Sequence, residues 1–172
     1  MSGLKIVYII GFMGSGKTTA GKKLSGFLGW NHLDLDTLIT EREGRSISDI
    51  FEASGEEYFR SLESNLLRDM PIAGNTVISV GGGAPCSDEN IRFMKETGLV
   101  VYLKKTPGQL FSRLSGEPGK RPLLTRLTKE EMLKYIRIKL EEREPFYKLA
   151  DISVLGMDID IGRLAKEINS AI

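Results

Sequence analysis

The sequence predicts an α/β fold in which helices cover both faces of a mostly parallel sheet. Short apolar runs alternate with stretches of helical periodicity along all 172 residues, and strands separated by helices pair in parallel. The first apolar run is almost wholly hydrophobic, as expected of a strand buried on both faces. No internal repeat and no Pro/Ser linker divides the chain, so we expect a single domain over residues 1–172.

The expected elements follow one another in a regular order. Strands are expected at residues 4–10, 32–35, 76–80, 99–103 and 151–155. Helices are expected at residues 18–28, 37–42, 46–53, 56–70 and 161–172, and further helices begin at Ser87, Thr106 and Thr128. Gly29 ends the first helix as a C-terminal glycine. Ser46 with Asp49 resembles a capping box, and Thr106 and Thr128 each begin a capping box completed three residues later.

The composition excludes several classes of function. Lys plus Arg number 24 and Asp plus Glu number 23, which gives a net charge of +1, so no overall positive field exists to hold nucleic acid or an anionic membrane. With one cysteine, Cys86, and one histidine, His32, neither a disulfide framework nor a Cys/His zinc site can be built. The early apolar run is too short to span a membrane, and no signal cleavage site follows it. We therefore expect a cytoplasmic monomer without nucleic-acid or membrane partners.

A phosphate-binding loop is the strongest motif in the chain. Residues 11–18 read Gly-Phe-Met-Gly-Ser-Gly-Lys-Thr and match the pattern G-x-x-x-x-G-K-[ST] between a strand and a helix. Backbone N–H groups and the helix N-terminus attract phosphate there, and we expect Lys17 to reach the β and γ phosphates and Thr18 to bind Mg²⁺. The candidate ATP-binding residues are Gly11, Gly14, Ser15, Gly16, Lys17, Thr18 and Thr19. The alternative interpretation is a tight turn with a solvated lysine.

The remaining motifs favour a small-molecule kinase. The chain lacks the N-K-x-D pattern that reads guanine and the apolar run ending in Asp-Glu that is typical of motor ATPases. Asp34 and Asp36 end the second predicted strand, and both would point to one side if that segment is extended. One carboxylate then serves the metal, while the other accepts or orients a hydroxyl proton. Alternatively, Asp36 occupies a helix cap.

Two further features are candidates for binding an acceptor. Arg60 and Glu63 lie three positions apart and share a helix face, which is equally the arrangement of a surface ion pair. Gly81, Gly82 and Gly83 follow an apolar strand, so the backbone turns sharply there or approaches a ligand closely. A plain loop is the alternative for this glycine run.

A lid is predicted at residues 115–127. Residues 115–122 are rich in glycine, proline and charge, which is typical of a mobile loop. A lid that closes over both substrates excludes water, which would otherwise compete as acceptor. We expect Arg121 to contact the phosphates as the lid closes, and the alternative is an exposed loop with a spare arginine. Arg143, crowded by acidic neighbours, is either a site residue or solvated.

Taken in order, these motifs resemble those of the shikimate kinase family along nearly the whole chain. The set comprises residues 11–18, Asp34-Leu35-Asp36, Phe59-Arg60 with Glu63, Gly81-Gly82-Gly83, Arg121-Pro122-Leu123-Leu124, and Arg143 with Tyr147. The resemblance implies a P-loop kinase fold with a central five-stranded parallel sheet flanked by helices on both faces. It also implies MgATP as the donor and phosphorylation of the 3-hydroxyl of shikimate.

The resemblance implies a role for each matched residue. The implied metal residues are Thr18 and Asp34, and the implied catalytic residues are Lys17, Asp36 and Arg121. The implied acceptor-binding residues are Asp36, Arg60, Glu63, Gly81, Gly82, Gly83 and Arg143, with an acceptor-binding segment over about 36–63. Within this set the two arginines would hold the shikimate carboxylate and Asp36 would face the reacting hydroxyl. Arg113 resembles a position near the adenine.

One turn departs from the family pattern. After the last strand, family members often carry an arginine and a proline beside the adenine, whereas residues 156–160 read Gly-Met-Asp-Ile-Asp. Two other functions remain as alternatives at this point. One is another small-metabolite kinase, such as a gluconate kinase, which also handles a carboxylated polyol. The other is a non-catalytic ATP-binding module that senses the nucleotide.

Overall fold

Five parallel strands form the centre of the structure. The computed structural model describes residues 4–116, 124 and 126–172. The strands are β1 (Ile6–Ile10), β2 (Asn31–Asp34), β3 (Thr76–Ser79), β4 (Leu99–Lys104) and β5 (Ile152–Leu155). They pair in the order β2-β3-β1-β4-β5, and every pairing is parallel. The prediction of a five-stranded parallel sheet is therefore confirmed.

Seven helices lie within the described ranges and cover both faces of the sheet. They are α1 (Lys17–Leu28), α2 (Leu35–Glu43), α3 (Ile47–Asp69), α4 (Asp88–Thr97), α5 (Pro107–Ser115), α6 (Lys129–Tyr147) and α7 (Ile161–Ala171). Alternate residues of β1 point to opposite faces. Val7 and Ile9 pack with α1 and α7, while Tyr8 and Ile10 pack with α3, α4 and α6. Both faces of β1 are thus buried, as its apolar sequence predicts.

The order of the strands brings the predicted motifs to one edge of the sheet. Strand β1 lies between β3 and β4, and parallel strands place all their carboxyl ends on the same side. The phosphate loop follows β1, Asp34 ends β2, and the glycine run begins just after β3. Ligands of open α/β sheets bind at these carboxyl ends, where the chain turns to opposite faces.

Local signals in the sequence set the helix ends. Ser46 and Asp49 form a complete capping box at the start of α3, which is stronger than the sequence pattern indicates. The two helices predicted at residues 46–53 and 56–70 form one element that is broken at Gly55, whose φ of 80° and ψ of 173° are not helical. Helix α2 begins at Leu35 rather than at residue 37 and ends before Gly44.

Part of the predicted lid lies outside the described residues. Residues 117–123 and 125 belong to that part, and Arg121 is among them. The lid and the role of Arg121 therefore stay predictions. Among the helices of the described ranges, none combines the length and the apolar character needed to cross a membrane.

Candidate active site

The phosphate loop has the backbone conformation that its glycines permit. Gly14 and Gly16 have φ values of 78° and 90°, in the left-handed region that favours glycine. Gly16 is the N-terminal cap of α1, and among the described residues no side chain caps this helix. The first turn of α1 also carries no acidic residue. The loop therefore presents a helix N-terminus, with its partial positive charge, as an anion site.

The side chains of the loop divide between its inside and its outer rim. The N–H of Ser15 donates to the carbonyl of Phe12 at 3.1 Å, and the Ser15 hydroxyl is buried without a hydrogen-bond partner in the described part of the chain. Ser15 thus supports the loop from within. Nζ of Lys17 donates to the carbonyl of Phe12 at 3.0 Å, so the lysine folds back along the loop. Thr18 and Thr19 are exposed on the first turn of α1.

Asp34 joins the phosphate loop to the start of α2. The hydroxyl of Thr18 donates to Oδ2 of Asp34 at 2.6 Å, and Oδ1 of Asp34 accepts from the N–H of Thr37 at 3.2 Å. Asp34 is therefore the helix cap, and the prediction that Asp36 occupies a cap is wrong. The chain is also not extended past Asp34, because Leu35 and Asp36 already belong to α2.

The two aspartates consequently point to different places. Neighbours two apart on a helix do not face each other, so Asp34 and Asp36 do not share a side as an extended strand predicts. A Cβ placed on Gly81 would lie 3.0 Å from Oδ1 of Asp36 and 2.5 Å from Oε1 of Glu63. Asp36 therefore lies beside the glycine run, with a second carboxylate near it.

Glu63 is a buried carboxylate that holds Arg60. Its Oε2 accepts from Nη1 of Arg60 at 2.7 Å, and its Oε1 is buried without a hydrogen-bond partner among the described residues. Burial raises the pKa of the Glu63 carboxyl, and the Arg60 charge opposes this shift only in part. A buried acceptor without a partner costs free energy, so this oxygen is suited to accept a hydrogen bond from a ligand.

Arg60 and Arg143 converge on the same glycine run from different helices. A Cβ on Gly83 would overlap the guanidinium of Arg60. A Cβ on Gly82 would lie 3.3 Å from Nη1 of Arg143 and 3.2 Å from the backbone nitrogen of Met13. The two guanidiniums thus flank adjacent residues of one loop, and that loop touches the phosphate loop. Neither arginine is a solvated surface charge, as both are partly buried.

Aromatic rings support both arginines. Cζ of Arg143 lies 5.4 Å from the ring centroid of Phe12, and Cζ of Arg60 lies 5.2 Å from that of Phe59. A guanidinium over an aromatic face is favoured electrostatically. Phe12 occupies a variable position of the phosphate-loop pattern, so the sequence gives no signal that it contacts an arginine of α6.

Arg113 and a buried lysine lie at the far side of the phosphate loop. A Cβ on Gly16 would lie 3.4 Å from Nη2 of Arg113, so the guanidinium covers the start of α1. Lys105, directly after β4, is only 3% exposed. Burial and the Arg113 charge lower the pKa of Lys105, and Asp158 in the turn after β5 opposes them. Sequence reasoning missed Lys105, because paired lysines after a strand are usually solvated.

Cys86 lies at the edge of the glycine run without a chemical role. Its Sγ donates to the carbonyl of Gly82 at 3.6 Å. Burial raises the pKa of the Cys86 thiol to about 11, so the neutral thiol predominates near pH 7 and is a poor nucleophile.

The fold and this arrangement of charges define a class of protein. A phosphate loop at the carboxyl edge of a parallel sheet, beside a cluster of two guanidiniums and two carboxylates, is the architecture of a P-loop kinase for a small anionic alcohol. The profile of the shikimate kinase family matches residues 13–172. This chain belongs to the shikimate kinase family.

Individual shikimate kinases match this chain over most of their lengths. A shikimate kinase of Parabacteroides distasonis is 41% identical over 150 residues, which is 87% of each chain. The crystal structure of shikimate kinase from Bacteroides thetaiotaomicron superposes with a TM-score of 0.89 at 35% identity and covers 98% of both chains. The structure of shikimate kinase from Acinetobacter baumannii in complex with shikimate gives a TM-score of 0.81 at 32% identity, over 98% of this chain and 92% of that one. The P-loop kinase fold is thereby confirmed.

Proposed function

We propose that this chain transfers the γ-phosphoryl group of ATP to the 3-hydroxyl of shikimate, giving shikimate 3-phosphate and ADP. ATP-dependent phosphorylation of shikimate is the function of the family to which the chain belongs. The observation that carries the proposal for this chain is the convergence of Arg60 and Arg143 on Gly83 and Gly82, next to the phosphate loop. Shikimate carries one carboxylate and three hydroxyls, so its pocket needs forked cations at one end and acceptors at the other.

ATP binds through the loop of residues 11–18 in this proposal. The N-terminus of α1 holds the phosphates, and Lys17 moves from the carbonyl of Phe12 to the β and γ phosphates when the nucleotide enters. Arg113, whose guanidinium lies against Gly16, contacts the nucleotide in this proposal. Asp158 lies in the turn after β5, where the family pattern sets residues beside the adenine, and it interacts electrostatically with Lys105.

The residues near the loop fit a magnesium ion. Thr18 and Asp34 supply a hydroxyl and a carboxylate oxygen 2.6 Å apart, and both are hard oxygen ligands of the kind that Mg²⁺ takes. Within residues 4–116, 124 and 126–172, no group of three or more His, Cys, Asp or Glu side chains is placed to hold a metal. Mg²⁺ keeps several waters and is shared with substrate phosphates, so a site for it needs only one or two ligands from the protein. When bound, Mg²⁺ neutralises charge on the β and γ phosphates.

Asp36 orients the attacking hydroxyl in the proposed mechanism. Phosphoryl transfer requires the attacking and leaving oxygens to lie roughly in line, and enzymes accelerate it mainly by positioning and charge stabilisation. Arg60 and Arg143 fix the carboxylate end of shikimate, which places the ring across the glycine run. Asp36, beside Gly81, then accepts the proton of the 3-hydroxyl.

Three further points belong to the proposal. The predicted lid at 115–127, which lies in part outside the described residues, and a contact of Arg121 with the phosphates also belong to the proposal. The protein acts in the cytoplasm as a monomer. A gluconate kinase is not favoured by the relatives, and a nucleotide sensor would have no use for the paired arginines of the acceptor pocket.

The test is turnover with a panel of acceptors. ADP release is measured for the purified chain with MgATP and, separately, shikimate, quinate or gluconate, and the product is identified by ³¹P NMR. Shikimate is expected to give the highest kcat/KM, with phosphate on the 3-hydroxyl. Lys17→Ala is expected to abolish this turnover while circular dichroism shows an unchanged fold. A higher kcat/KM with gluconate, or ATP binding that no acid affects, would overturn the proposal.

A further inference from the structure

The side chain of Tyr147 forms a hydrogen bond with the glycine run. Tyr147 is the last residue of α6 and is fully buried. Its hydroxyl donates to the carbonyl of Gly82 at 2.6 Å. Burial raises the pKa of the Tyr147 hydroxyl, so the group remains protonated and keeps donating.

The hydrogen bond is made to a peptide that lies between the phosphate loop and Arg143. Gly82 lies against the backbone of Met13 in the phosphate loop and against the guanidinium of Arg143. Arg143 and Tyr147 are one turn apart on α6, so they project from the same side of the helix. A single helix thereby supplies both the arginine that flanks Gly82 and the hydroxyl that holds its carbonyl.

Holding the carbonyl of Gly82 also determines the direction of the next amide. In a planar trans peptide, the C=O of one residue and the N–H of the next point in opposite directions. The N–H of Gly83 therefore points away from Tyr147. The guanidinium of Arg60 covers Gly83, so the orientation of this peptide and the approach of Arg60 are linked.

We propose that Tyr147 is a positioning residue of the acceptor pocket, whose hydroxyl holds the Gly82 peptide so that Arg143 and Arg60 approach a common acid from its two sides. This inference rests on the proposed function of the pocket. Tyr147 does not touch the reacting atoms. It acts through the glycine run and through Arg143, whose guanidinium also interacts with the Tyr147 hydroxyl. Loss of the hydroxyl should therefore raise the KM for the acceptor and not the KM for ATP.

The chain offers a matched control for the hydroxyl of Tyr147. Tyr102 is also buried, and its ring centroid lies 5.0 Å from that of Tyr147. The Tyr102 hydroxyl donates to Oε2 of Glu144 at 2.8 Å, away from the glycine run. Tyr147→Phe and Tyr102→Phe therefore remove the same atom from the same cluster and differ in the partner that is lost.

Steady-state kinetics of the full-length chain separates a positioning role from a structural one. Tyr147→Phe leaves the Gly82 carbonyl with only the weak donor Sγ of Cys86 at 3.6 Å, and we expect the KM for shikimate to rise about tenfold, with the KM for ATP within about twofold of wild type. Tyr102→Phe is expected to lower the melting temperature to a similar extent and to leave the KM for shikimate within about twofold. Amide NMR without acceptor should show shifted Gly82 and Gly83 resonances in Tyr147→Phe and wild-type positions in Tyr102→Phe.

Two results would overturn the inference. One is a Tyr147→Phe enzyme with lowered stability but a wild-type KM for shikimate and unshifted glycine amides. The other is an equal rise in this KM in both variants, which would indicate a general loosening of the core. The wild-type acceptor panel tests the proposed function separately. If it selects another acid, the same two variants are compared with that acid, and the Tyr147 inference stands or falls on the difference between them.

Discussion

The hydroxyl of Thr18 donates a 2.6 Å hydrogen bond to Oδ2 of Asp34, which links the first turn of α1 to the cap of α2. The same carboxylate caps α2 through its other oxygen. The side chain of Asp34 therefore fixes the position of the phosphate loop relative to α2, the helix that carries Asp36. Removing the charge of Asp34 should therefore change the Mg²⁺ dependence of the activity without unfolding α2.

Replacing Asp34 by asparagine tests this division of roles. Asparagine caps helices as well as aspartate does, so α2 and the melting temperature should change little. The lost negative charge should raise the Mg²⁺ concentration needed for half-maximal turnover severalfold, because Mg²⁺ prefers carboxylate oxygens. Turnover measured against free Mg²⁺ at saturating nucleotide gives this value. An unchanged Mg²⁺ dependence would remove Asp34 from the metal site.

Asp36→Asn should reduce kcat far more than it affects either substrate's binding. Loss of a positioned general base typically costs about 10²- to 10⁴-fold in rate. Calorimetry should still detect ATP at its wild-type affinity. Glu41→Gln is the control, because Glu41 is an exposed carboxylate of the same helix and its loss should leave kcat unchanged. Near-normal turnover in Asp36→Asn would contradict the proposed role.

Gly83→Ala should weaken the acceptor site through Arg60. The added Cβ would overlap the guanidinium, and Arg60 must then leave Glu63 or the pocket. Loss of one charged hydrogen bond predicts a rise of roughly tenfold or more in the KM for shikimate.

Gly26→Ala is the matched control for the added methyl group. Gly26 is exposed within α1, and a Cβ there meets nothing within 4 Å. Alanine should stabilise the helix by about 1 kcal/mol and leave the kinetics unchanged. A wild-type KM in Gly83→Ala would show that Arg60 can move aside without cost to the acceptor.

Glu63 predicts a pH dependence of stability with a definite sign. Burial raises the pKa of Glu63 in the folded protein above its ordinary value of 4.5. The protonated form is therefore favoured by folding, and the contribution of Glu63 to stability is complete below its ordinary pKa and falls as pH rises through the raised value. Glu63→Gln lacks this titration, so the difference in unfolding free energy between wild type and Glu63→Gln should fall over that range.

Denaturant unfolding at a series of pH values measures that difference. Glu56→Gln is the control, because Glu56 is an exposed partner of the same Arg60 at 3.4 Å. It leaves Glu63 in place and should retain the wild-type change with pH. A constant difference between wild type and Glu63→Gln would show that the carboxyl titrates alike in the folded and unfolded states.

The sequence predicts the parts of the site that depend on local pattern. The phosphate loop is recognisable because strand, glycines and helix occur at fixed spacing, and the capping boxes locate the starts of α3, α5 and α6. The directions of Asp34 and Asp36 were not predictable in the same way. Two aspartates are compatible with the end of a strand and with the start of a helix. Which of these forms depends on Leu35, the first residue of α2, whose side chain is buried in the hydrophobic core.

Contacts between segments that are far apart in the chain leave no pattern in the local sequence. The distance between Phe12 and Arg143 depends on how α6 packs, and its contacts with the sheet are made to Tyr102 and Lys104 of β4, far away in the sequence. The same holds for Lys105, which interacts electrostatically with Asp158 in the turn after β5. Family resemblance assigns roles to Arg60 and Arg143, whereas the structure adds that both meet the glycine run.

Under the proposed function, the ring of Phe12 beneath Arg143 would involve the phosphate loop in selecting the acid. Positions between the glycines of such loops are commonly treated as interchangeable spacers. Here one of these positions, Phe12, packs its ring against the guanidinium of Arg143. A phosphate loop grafted from another kinase with a small residue at position 12 would remove this contact. Such a graft would then alter the selectivity for the acceptor alcohol as well as the affinity for ATP.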